Sequence, residues 1–254
     1  MAPLNYELEK FEMSPARIKT RTLTIAEAAA APGRFNAYLA EPSCNGSVGV
    51  LLLPEMFGLT PAMLEAAQDF AGMGYATLVP NVFWRAPNPE ALAYEGPPRQ
   101  HAFERLQALD FDAAVKDIGS AAQTLMKESG CRTVAAVGHC IGGRLAVLAL
   151  PATDVAGAVS YYGLGISQMG AALATLSKPA QLHYGLADEH VPLDEIKAVD
   201  TAMAGNPNIT IHRYAGAGHS FCNPYRPMFD TAAAALVRDR TQEFLQRLAG
   251  NSQA

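Results

Sequence analysis

A cysteine stands inside a glycine-rich turn, between an apolar run and a run with the composition of a helix. The turn reads GHCIG and spans residues 138–142. A dinucleotide-binding fingerprint needs glycine where Cys140 stands, and a phosphate-binding loop needs lysine and then serine or threonine after Gly143, where this chain has Arg-Leu. The turn instead fits the nucleophile elbow G-x-S-x-G, with sulfur replacing oxygen. The sequence therefore predicts that Cys140 is a nucleophile.

A nucleophilic thiol needs a base that takes its proton and an acid that orients the base. In the fold that carries this elbow, the acid and then the histidine follow the nucleophile, each at the end of a later strand. Asp188 follows the strand-like run 181–185, and His219 follows the run 208–214. The order and the placement favour Cys140, Asp188 and His219 as a catalytic triad.

Two residues next to Asp188 offer rival assignments. Glu189 is the alternative acid, and His190 is the alternative base. His190 precedes Val-Pro and a new helix, whereas His219 follows the glycine-containing segment 216–218, in which the backbone can bend so that the imidazole points back at the sulfur. We therefore favour Asp188 and His219.

The backbone amides that would stabilise an oxyanion are also indicated by the motif. One belongs to the residue after the nucleophile, Ile141, and the other to the segment after the apolar run 47–54, where Met56 is the expected donor. Glu55 follows the same run directly. A carboxylate at such a position has to find a partner or shift its pKa.

Short strand-like runs alternate with helical runs, which predicts a mostly parallel sheet with helices on both faces. The inner runs are almost wholly apolar, as strands buried on both faces must be. The first two, joined by an alanine run and a Pro-Gly turn, are expected to form an antiparallel hairpin at one edge. The strand-like runs span residues 18–25, 34–40, 47–54, 75–80, 133–138, 155–162, 181–185 and 208–214.

Helices are expected between these strands. Thr60-Pro61 has the residue types of a helix start, and one long helix is predicted over about 103–128. Further helices are expected after Cys140, over 192–199 and from about residue 229. The chain contains no repeat or linker, so we predict a single domain over 1–254, with 1–17 as a poorly ordered lead.

The composition is typical of a globular protein with a sizeable core, with 50% hydrophobic and 17% charged residues among 254. A net charge of −5 and the lack of a basic run argue against a nucleic acid or a membrane surface as partner. The first twenty residues have no signal-peptide pattern, and the four cysteines have no zinc spacing. We expect a cytoplasmic protein that acts on a small molecule, without a metal or an organic cofactor.

These residues resemble the dienelactone hydrolases, enzymes of the α/β-hydrolase fold whose cysteine nucleophile stands in G-x-C-x-G-G, as at 138–143. The remaining matches are PEMFG at 54–58, YYG at 161–163, ADEHVP at 187–192 and GHSF at 218–221. The resemblance covers nearly the whole chain. It implies an eight-stranded, mostly parallel sheet without a lid domain, since the segment 163–178 is too short to hold one.

The resemblance also implies roles for residues around the nucleophile. In the family the glutamate, here Glu55, helps to deprotonate the thiol when substrate arrives, and arginines hold the substrate carboxylate. Arg85 is the first of these arginines by position, and Tyr161 of the YYG motif is a further substrate contact. Where the family carries a second arginine, four residues past the histidine, this chain has Asn223, so Arg226 is the nearest substitute.

The expected reaction is hydrolysis of a small ester or lactone, with a carboxylate-bearing lactone as the substrate that the resemblance implies. Cys140 attacks the carbonyl carbon and forms a thioester, while His219 transfers the proton. A general carboxylesterase or thioesterase is the alternative among enzymes. A non-catalytic ligand-binding protein on a hydrolase scaffold is the alternative from another class.

Overall fold

The computed structural model describes residues 18–26 and 33–251, and all eight strands in these ranges belong to one sheet. Each strand matches one strand-like run of the sequence to within about two residues. In the order of the sheet they are β1 (Lys19–Ala26), β2 (Arg34–Glu41), β4 (Thr77–Pro80), β3 (Val48–Leu53), β5 (Thr133–His139), β6 (Gly157–Tyr161), β7 (Ala180–Gly185) and β8 (Ile209–Tyr214).

The edge hairpin that the sequence predicts is confirmed. β1 pairs with β2 in an antiparallel register, and β2 pairs antiparallel with β4. The other neighbouring strands, from β4 to β8, all pair in parallel. The residues 27–32 that join β1 to β2, and the predicted lead at 1–17, lie outside the described residues.

The helices cover both faces of this sheet, as the sequence predicts. One face carries α1 (Pro61–Gly72) and α6 (Thr231–Asn251), and the other carries α3 (Phe111–Ser129), α4 (Ile141–Ala152) and α5 (Leu193–Ala202). β3 and β7 are buried along their whole length, because helices pack on both of their faces. The parallel strands therefore end at one edge of a rigid, covered sheet, where α/β proteins build their sites.

The long helix predicted over about 103–128 is wrong, because the chain forms two helices there. α2 (Pro97–Gln107) ends before Asp110, and α3 begins after it. The Asp110 carboxylate accepts a hydrogen bond of 3.0 Å from the amide of Ala113, which caps α3 and fixes its start. α2 has only Ala102 and Arg105 buried, so the sheet anchors this helix weakly.

The segment between β6 and β7 contains a 3₁₀ helix (Ile166–Thr175) that the sequence did not indicate. It is short and kinked at Gly170, and no lid domain is inserted there. Among the described residues, no helix is both long enough and apolar enough to cross a membrane.

Candidate active site

The chain turns from β5 into α4 at Cys140, and its backbone there is strained. Cys140 has φ 55° and ψ −120°, outside the regions that side chains normally adopt. A Cβ atom on Gly138 would lie 2.0 Å from the carbonyl oxygen of Gly142, and one on Gly142 would lie 2.3 Å from that of Leu53. The glycines of the elbow are therefore required by the close approach of α4 to β3 and β5. Cys140 lines a small pocket at this turn.

Asp188 and His219 meet at the same edge of the sheet, as the sequence predicts. The Asp188 Oδ2 atom lies 2.8 Å from His219 Nδ1. The other oxygen, Oδ1, accepts hydrogen bonds from the amides of His190 (2.8 Å) and Val191 (3.0 Å), which fix the carboxylate in the loop after β7. A carboxylate on Nδ1 favours the tautomer that leaves Nε2 as a proton acceptor.

The surroundings of His219 favour uptake of a proton when the thiol ionises. Burial lowers the pKa of His219, but the charge of an ionised Cys140 and the hydrogen bond to Asp188 raise it well above its ordinary value. Burial opposes ionisation of Asp188, yet the hydrogen bond and charge of His219 hold the pKa of that carboxyl below its usual range. The arrangement is therefore suited to a histidine that accepts a proton next to a thiol.

The two rival residues lie close to this pair without replacing it. The His190 ring stands edge-on to the His219 ring, with 4.8 Å between centroids, and the two histidines line the same pocket. Glu189 is exposed, whereas Asp188 is buried and contacts His219. The geometry therefore favours Asp188 and His219, as the sequence did.

Glu55 is buried at the end of β3 and is held from two sides. Its Oε1 atom accepts a hydrogen bond of 3.3 Å from the Tyr162 hydroxyl, and its Oε2 atom accepts one of 3.2 Å from Nδ2 of Asn223. Burial raises the pKa of Glu55, and the positive charges of His219 and Arg226 act against that rise. Asn223, at the position where the resemblance implies an arginine, thus contacts the carboxylate directly.

Arg226 lies in the pocket with Cys140, as the sequence suggested. Its guanidinium group stacks over the ring of Tyr94, 4.8 Å from the centroid, and lies 5.5 Å from the centroid of Phe57. The cation is thus held on aromatic surfaces near Glu55, which leaves its charge available to an anionic ligand.

The pocket at Cys140 has a volume of about 50 Å³. Part of its wall comes from α2, which contributes Arg99, Phe103 and Leu106. Sequence analysis singled out none of these three residues, and its helix start at about Phe103 left Arg99 outside the helix. The signal was present, because Gly96 followed by Pro-Pro predicts a helix start, and positions 99, 103 and 106 share one helical face.

The two expected oxyanion donors are both close to the nucleophile, one in the chain and one in the pocket. Ile141 is the first residue of α4, and Met56 follows Glu55 in the loop after β3 and lines the pocket. The carbonyl oxygen of Met56 accepts a hydrogen bond of 2.7 Å from Nε of Arg105. Arg105 also donates to the carbonyl groups of Asn88 (2.9 Å) and Glu90 (2.8 Å), so it ties the Met56 loop to the loop before α2.

The structure does not bring Arg85 into the pocket with Cys140, in contrast to the expected substrate contact. Its guanidinium group forms a two-point ion pair with Asp117 and stacks on Trp84, 4.1 Å from the ring centroid. Asp117 lies on α3 and is fully buried. A buried carboxylate needs a cationic partner, and Arg85 supplies it.

Tyr161 is also outside the pocket, in contrast to the prediction. It ends β6, and its hydroxyl lies 2.8 Å from that of Thr241 in α6. The following residue, Tyr162, leaves the strand with a φ of 44° and turns its ring to within 5.1 Å of the His219 ring. Successive residues point to opposite faces of a strand, so only the second tyrosine of the motif reaches the site.

The described residues contain no group of three His, Cys, Asp or Glu side chains that could hold a metal ion. The reactive groups that line the pocket are the Cys140 thiol, the imidazoles of His190 and His219, and the Glu55 carboxylate.

Comparison with known proteins gives the family. The model of the dienelactone hydrolase family matches residues 35–249. The chain is 33% identical over 222 residues to carboxymethylenebutenolidase 1 of Cupriavidus pinatubonensis, which covers 85% of this chain and 93% of that protein. It is 30% identical over 216 residues to the carboxymethylenebutenolidase of Pseudomonas putida, covering 84% of this chain and 92% of that protein.

Solved structures of dienelactone hydrolase-like proteins have a similar fold. A dienelactone hydrolase-like promiscuous phosphotriesterase from metagenomic libraries superposes with a TM-score of 0.74 at 19% identity, over 91% of this chain and 98% of that one. The chain thus has the α/β-hydrolase fold, as expected. On the family match and the curated relatives together, it belongs to the dienelactone hydrolase family and is a carboxylic ester hydrolase.

Proposed function

We propose that this enzyme hydrolyses a small ester or lactone through a thioester on Cys140. The observation that carries the proposal is the convergence of Cys140, on its strained turn, with the hydrogen-bonded pair of Asp188 and His219 at one pocket. Each of these residues follows a different strand, so the sheet edge holds the three in fixed positions.

The reaction proceeds in two halves. The sulfur of Cys140 attacks the carbonyl carbon as its proton passes to His219, and a tetrahedral oxyanion forms. The carbon–oxygen bond to the leaving group then breaks, and His219 protonates the leaving oxygen. In the second half, His219 takes a proton from water, and the resulting hydroxide attacks the thioester. The carbon–sulfur bond then breaks, His219 returns the proton to the sulfur of Cys140, and the acid leaves as a carboxylate with loss of its proton to solvent.

The oxyanion is stabilised by the backbone amides of Ile141 and Met56. One amide begins α4, where the positive end of the helix dipole lies. The other amide belongs to Met56, and the buried side chain of Arg105 fixes this loop by a hydrogen bond to the Met56 carbonyl oxygen. Preorganised donors of this kind stabilise the transition state without a rearrangement during the reaction.

We infer that the substrate is small and carries a carboxylate. Arg99 and Arg226 are the two arginines that line the pocket, and the first lies on α2, at the exposed side. The pocket has only about 50 Å³, which favours a small substrate. Two relatives are named carboxymethylenebutenolidases, which supports a lactone with a carboxylate substituent.

Glu55 is proposed to act as a base that is held away from the thiol until substrate binds. Its hydrogen bonds to Tyr162 and Asn223 supply the restraint in the empty enzyme. A substrate carboxylate that binds Arg226 removes a positive charge from the surroundings of Glu55, and this raises the proton affinity of the carboxylate. The thiol can thereby rest neutral and ionise only in the complex.

A nucleophilic thiol has to stay reduced, and a reducing compartment provides this condition. We therefore place the enzyme in the cytoplasm.

Acyl transfer to the thiol tests the proposed function. After quenching with a slow ester substrate, mass spectrometry should find one acyl group, on Cys140, and Cys140→Ala should lose both the adduct and hydrolysis. Cys222→Ala is the matched control, because this second thiol lines another cavity. An adduct on Cys222, Cys131 or Cys44 would overturn the assignment of the nucleophile. Hydrolysis of uncharged esters in preference to carboxylate-bearing lactones would favour a general carboxylesterase.

A further inference from the structure

Two hydrogen bonds connect His139, which the proposed mechanism does not use, to Glu55. The Nδ1 atom of His139 lies 2.8 Å from the hydroxyl oxygen of Tyr162, and that hydroxyl lies 3.3 Å from Oε1 of Glu55. All three side chains are buried. His139 immediately precedes the nucleophile in the chain, but it does not line the Cys140 pocket.

Tyr162 is held rigidly between its two partners. Its backbone adopts a φ of 44°, and its amide donates a hydrogen bond of 2.8 Å to the carbonyl group of His183. Its ring packs edge-on against His139 and Phe221, at centroid distances of 5.7 and 5.4 Å. The position of the hydroxyl oxygen is therefore fixed, and the hydroxyl hydrogen can point either to His139 or to Glu55.

The phenol has a single hydrogen, so the two contacts depend on each other. Burial raises the pKa of Tyr162 and lowers that of His139 to about 3, so both groups are neutral at neutral pH. A neutral imidazole carries one N–H group. If Nδ1 carries it, His139 donates to Tyr162, and the phenol hydrogen is directed to Glu55. If Nε2 carries it, the phenol donates to His139 and turns its lone pairs to the carboxylate.

We propose that His139 is a positioning residue for Glu55: its Nδ1–H tautomer directs the Tyr162 hydroxyl onto the carboxylate and holds Glu55 in its resting position. The inference rests on the proposed function of Glu55, and it assigns the restraint to a residue outside the pocket. Further groups also act on Glu55, namely Asn223 and Ser220 by hydrogen bond and His219 and Arg226 by charge.

The surroundings of the His139 ring allow this tautomer. The ring stands edge-on to Tyr161, with 4.8 Å between centroids, and lines a cavity of about 620 Å³ between α1 and α6. Cys222 lines the same cavity, and the charged groups of its wall are Asp69, Arg238 and Asp239. Water that enters from this side can donate a hydrogen bond to an unprotonated Nε2.

Nitrogen NMR of the unmodified enzyme tests the tautomer directly. With ¹⁵N-labelled histidine, and with the His139 signals identified by their loss in His139→Leu, Nδ1 should be protonated and Nε2 unprotonated at pH 7. An Nε2–H tautomer would overturn the proposal. The tautomer is measured without turnover, so this test is independent of the proposed function. The proposed function itself would fail if Cys140→Ala retained hydrolysis.

Substitutions then test the effect on Glu55. His139→Leu removes the donor, whereas His139→Asn retains an N–H group near Nδ1. Without the donor, the Tyr162 hydroxyl can still donate to Glu55, but the strengthening of that bond by the Nδ1–H group is lost. The acid limb in the pH profile of Cys140 alkylation should therefore move upward by about 0.3 to 0.5 pH unit, which corresponds to a fraction of one hydrogen bond. His139→Asn should keep the profile within about 0.1 units of the original enzyme. In a Glu55→Gln background, His139→Leu should have no further effect.

The chain provides a matched control in His183. This histidine is equally buried, and its Nδ1 atom lies 2.7 Å from the hydroxyl oxygen of Tyr214. The described contacts of Tyr214 include no hydrogen bond to Glu55. His183→Leu should therefore leave the pH profile unchanged. An equal shift in His183→Leu, or equal shifts in His139→Leu and His139→Asn, would show a merely structural role and overturn the proposal.

Discussion

His139 and Cys140 are neighbours in the chain, yet they line two different cavities. The cavity at His139 has about 620 Å³ and contains a second thiol, Cys222, whereas the pocket at Cys140 has about 50 Å³. Only the smaller one contains the histidine that is bonded to a buried carboxylate. In this molecule, the strained backbone and the converging charged groups identify the candidate reactive site. Cavity volume alone would have pointed to the other cavity.

The largest expected effect comes from the acid of the triad. Asp188→Asn should lower kcat by about 10³- to 10⁴-fold, because an amide no longer fixes the His219 tautomer that accepts a proton on Nε2. Steady-state hydrolysis of a small lactone measures this loss. Ala235→Met, which narrows the larger cavity, should stay within about twofold of the original enzyme. Comparable losses in the two variants would remove the distinction between the cavities.

Arg226, in the pocket at Cys140, and Arg85, outside it, should differ in their effects on substrate binding. Arg226→Ala should raise KM for a carboxylate substrate about tenfold more than for its neutral methyl ester, since a charge-assisted contact to the acid is lost. Arg85→Ala should affect both substrates alike, because Arg85 is bound to Asp117. It should instead lower the free energy of unfolding by about 2 kcal/mol, as the fully buried Asp117 loses its cation. A selective effect of Arg85→Ala on the acid would restore this residue to the substrate site.

The restraint on Glu55 predicts a smaller, conditional effect. The free enzyme should react slowly with iodoacetamide at neutral pH, and a carboxylate-bearing analogue without a reactive carbonyl should speed labelling of Cys140 about tenfold. Glu55→Gln should abolish that acceleration. Asn223→Ala should speed labelling of the empty enzyme, because it removes one of the hydrogen bonds on Glu55. Rapid labelling of the empty enzyme that Glu55→Gln leaves unchanged would assign ionisation of the thiol to His219 alone.

The residues that the sequence located correctly are those close to a strand end. Glu55 lies two residues after β3, Asp188 three after β7 and His219 five after β8. Apolar strands are recognisable from composition, and short links leave their side chains little freedom in space. The motif and the strand pattern together therefore predict the centre of the site, the number of strands and their mostly parallel pairing.

The periphery of the pocket was not predictable in the same way. Arg85 was assigned from a family position, and nothing in its local sequence reveals that Asp117, on a later helix, competes for its charge. Arg99 and Phe103 come from α2, whose relation to the sheet depends on the buried contacts of Arg105 with loop carbonyl groups. Such contacts join residues far apart in the chain, and local patterns do not encode them.

The smallest expected effect concerns the two carboxyl groups near Cys140, whose pKa values shift in opposite directions. Burial raises the folded-state pKa of Glu55, so ionised Glu55 costs stability at neutral pH, and that cost disappears as the pH falls toward the unfolded value of about 4.3. Against Glu55→Gln, the free energy of unfolding of the original enzyme should therefore rise as the pH is lowered from 7 to 5.

Asp188 should behave in the opposite sense. Burial opposes its ionisation, but the hydrogen bond and charge of His219 keep its folded-state pKa below the unfolded value, so ionised Asp188 adds stability above about pH 3.9 and loses it as the pH falls through the folded pKa. Against Asp188→Asn, the original enzyme should thus become relatively less stable in acid. Urea denaturation at a series of pH values measures both differences. Parallel slopes for the two variants would mean that the carboxyl groups share one environment, which contradicts the separate roles assigned to them.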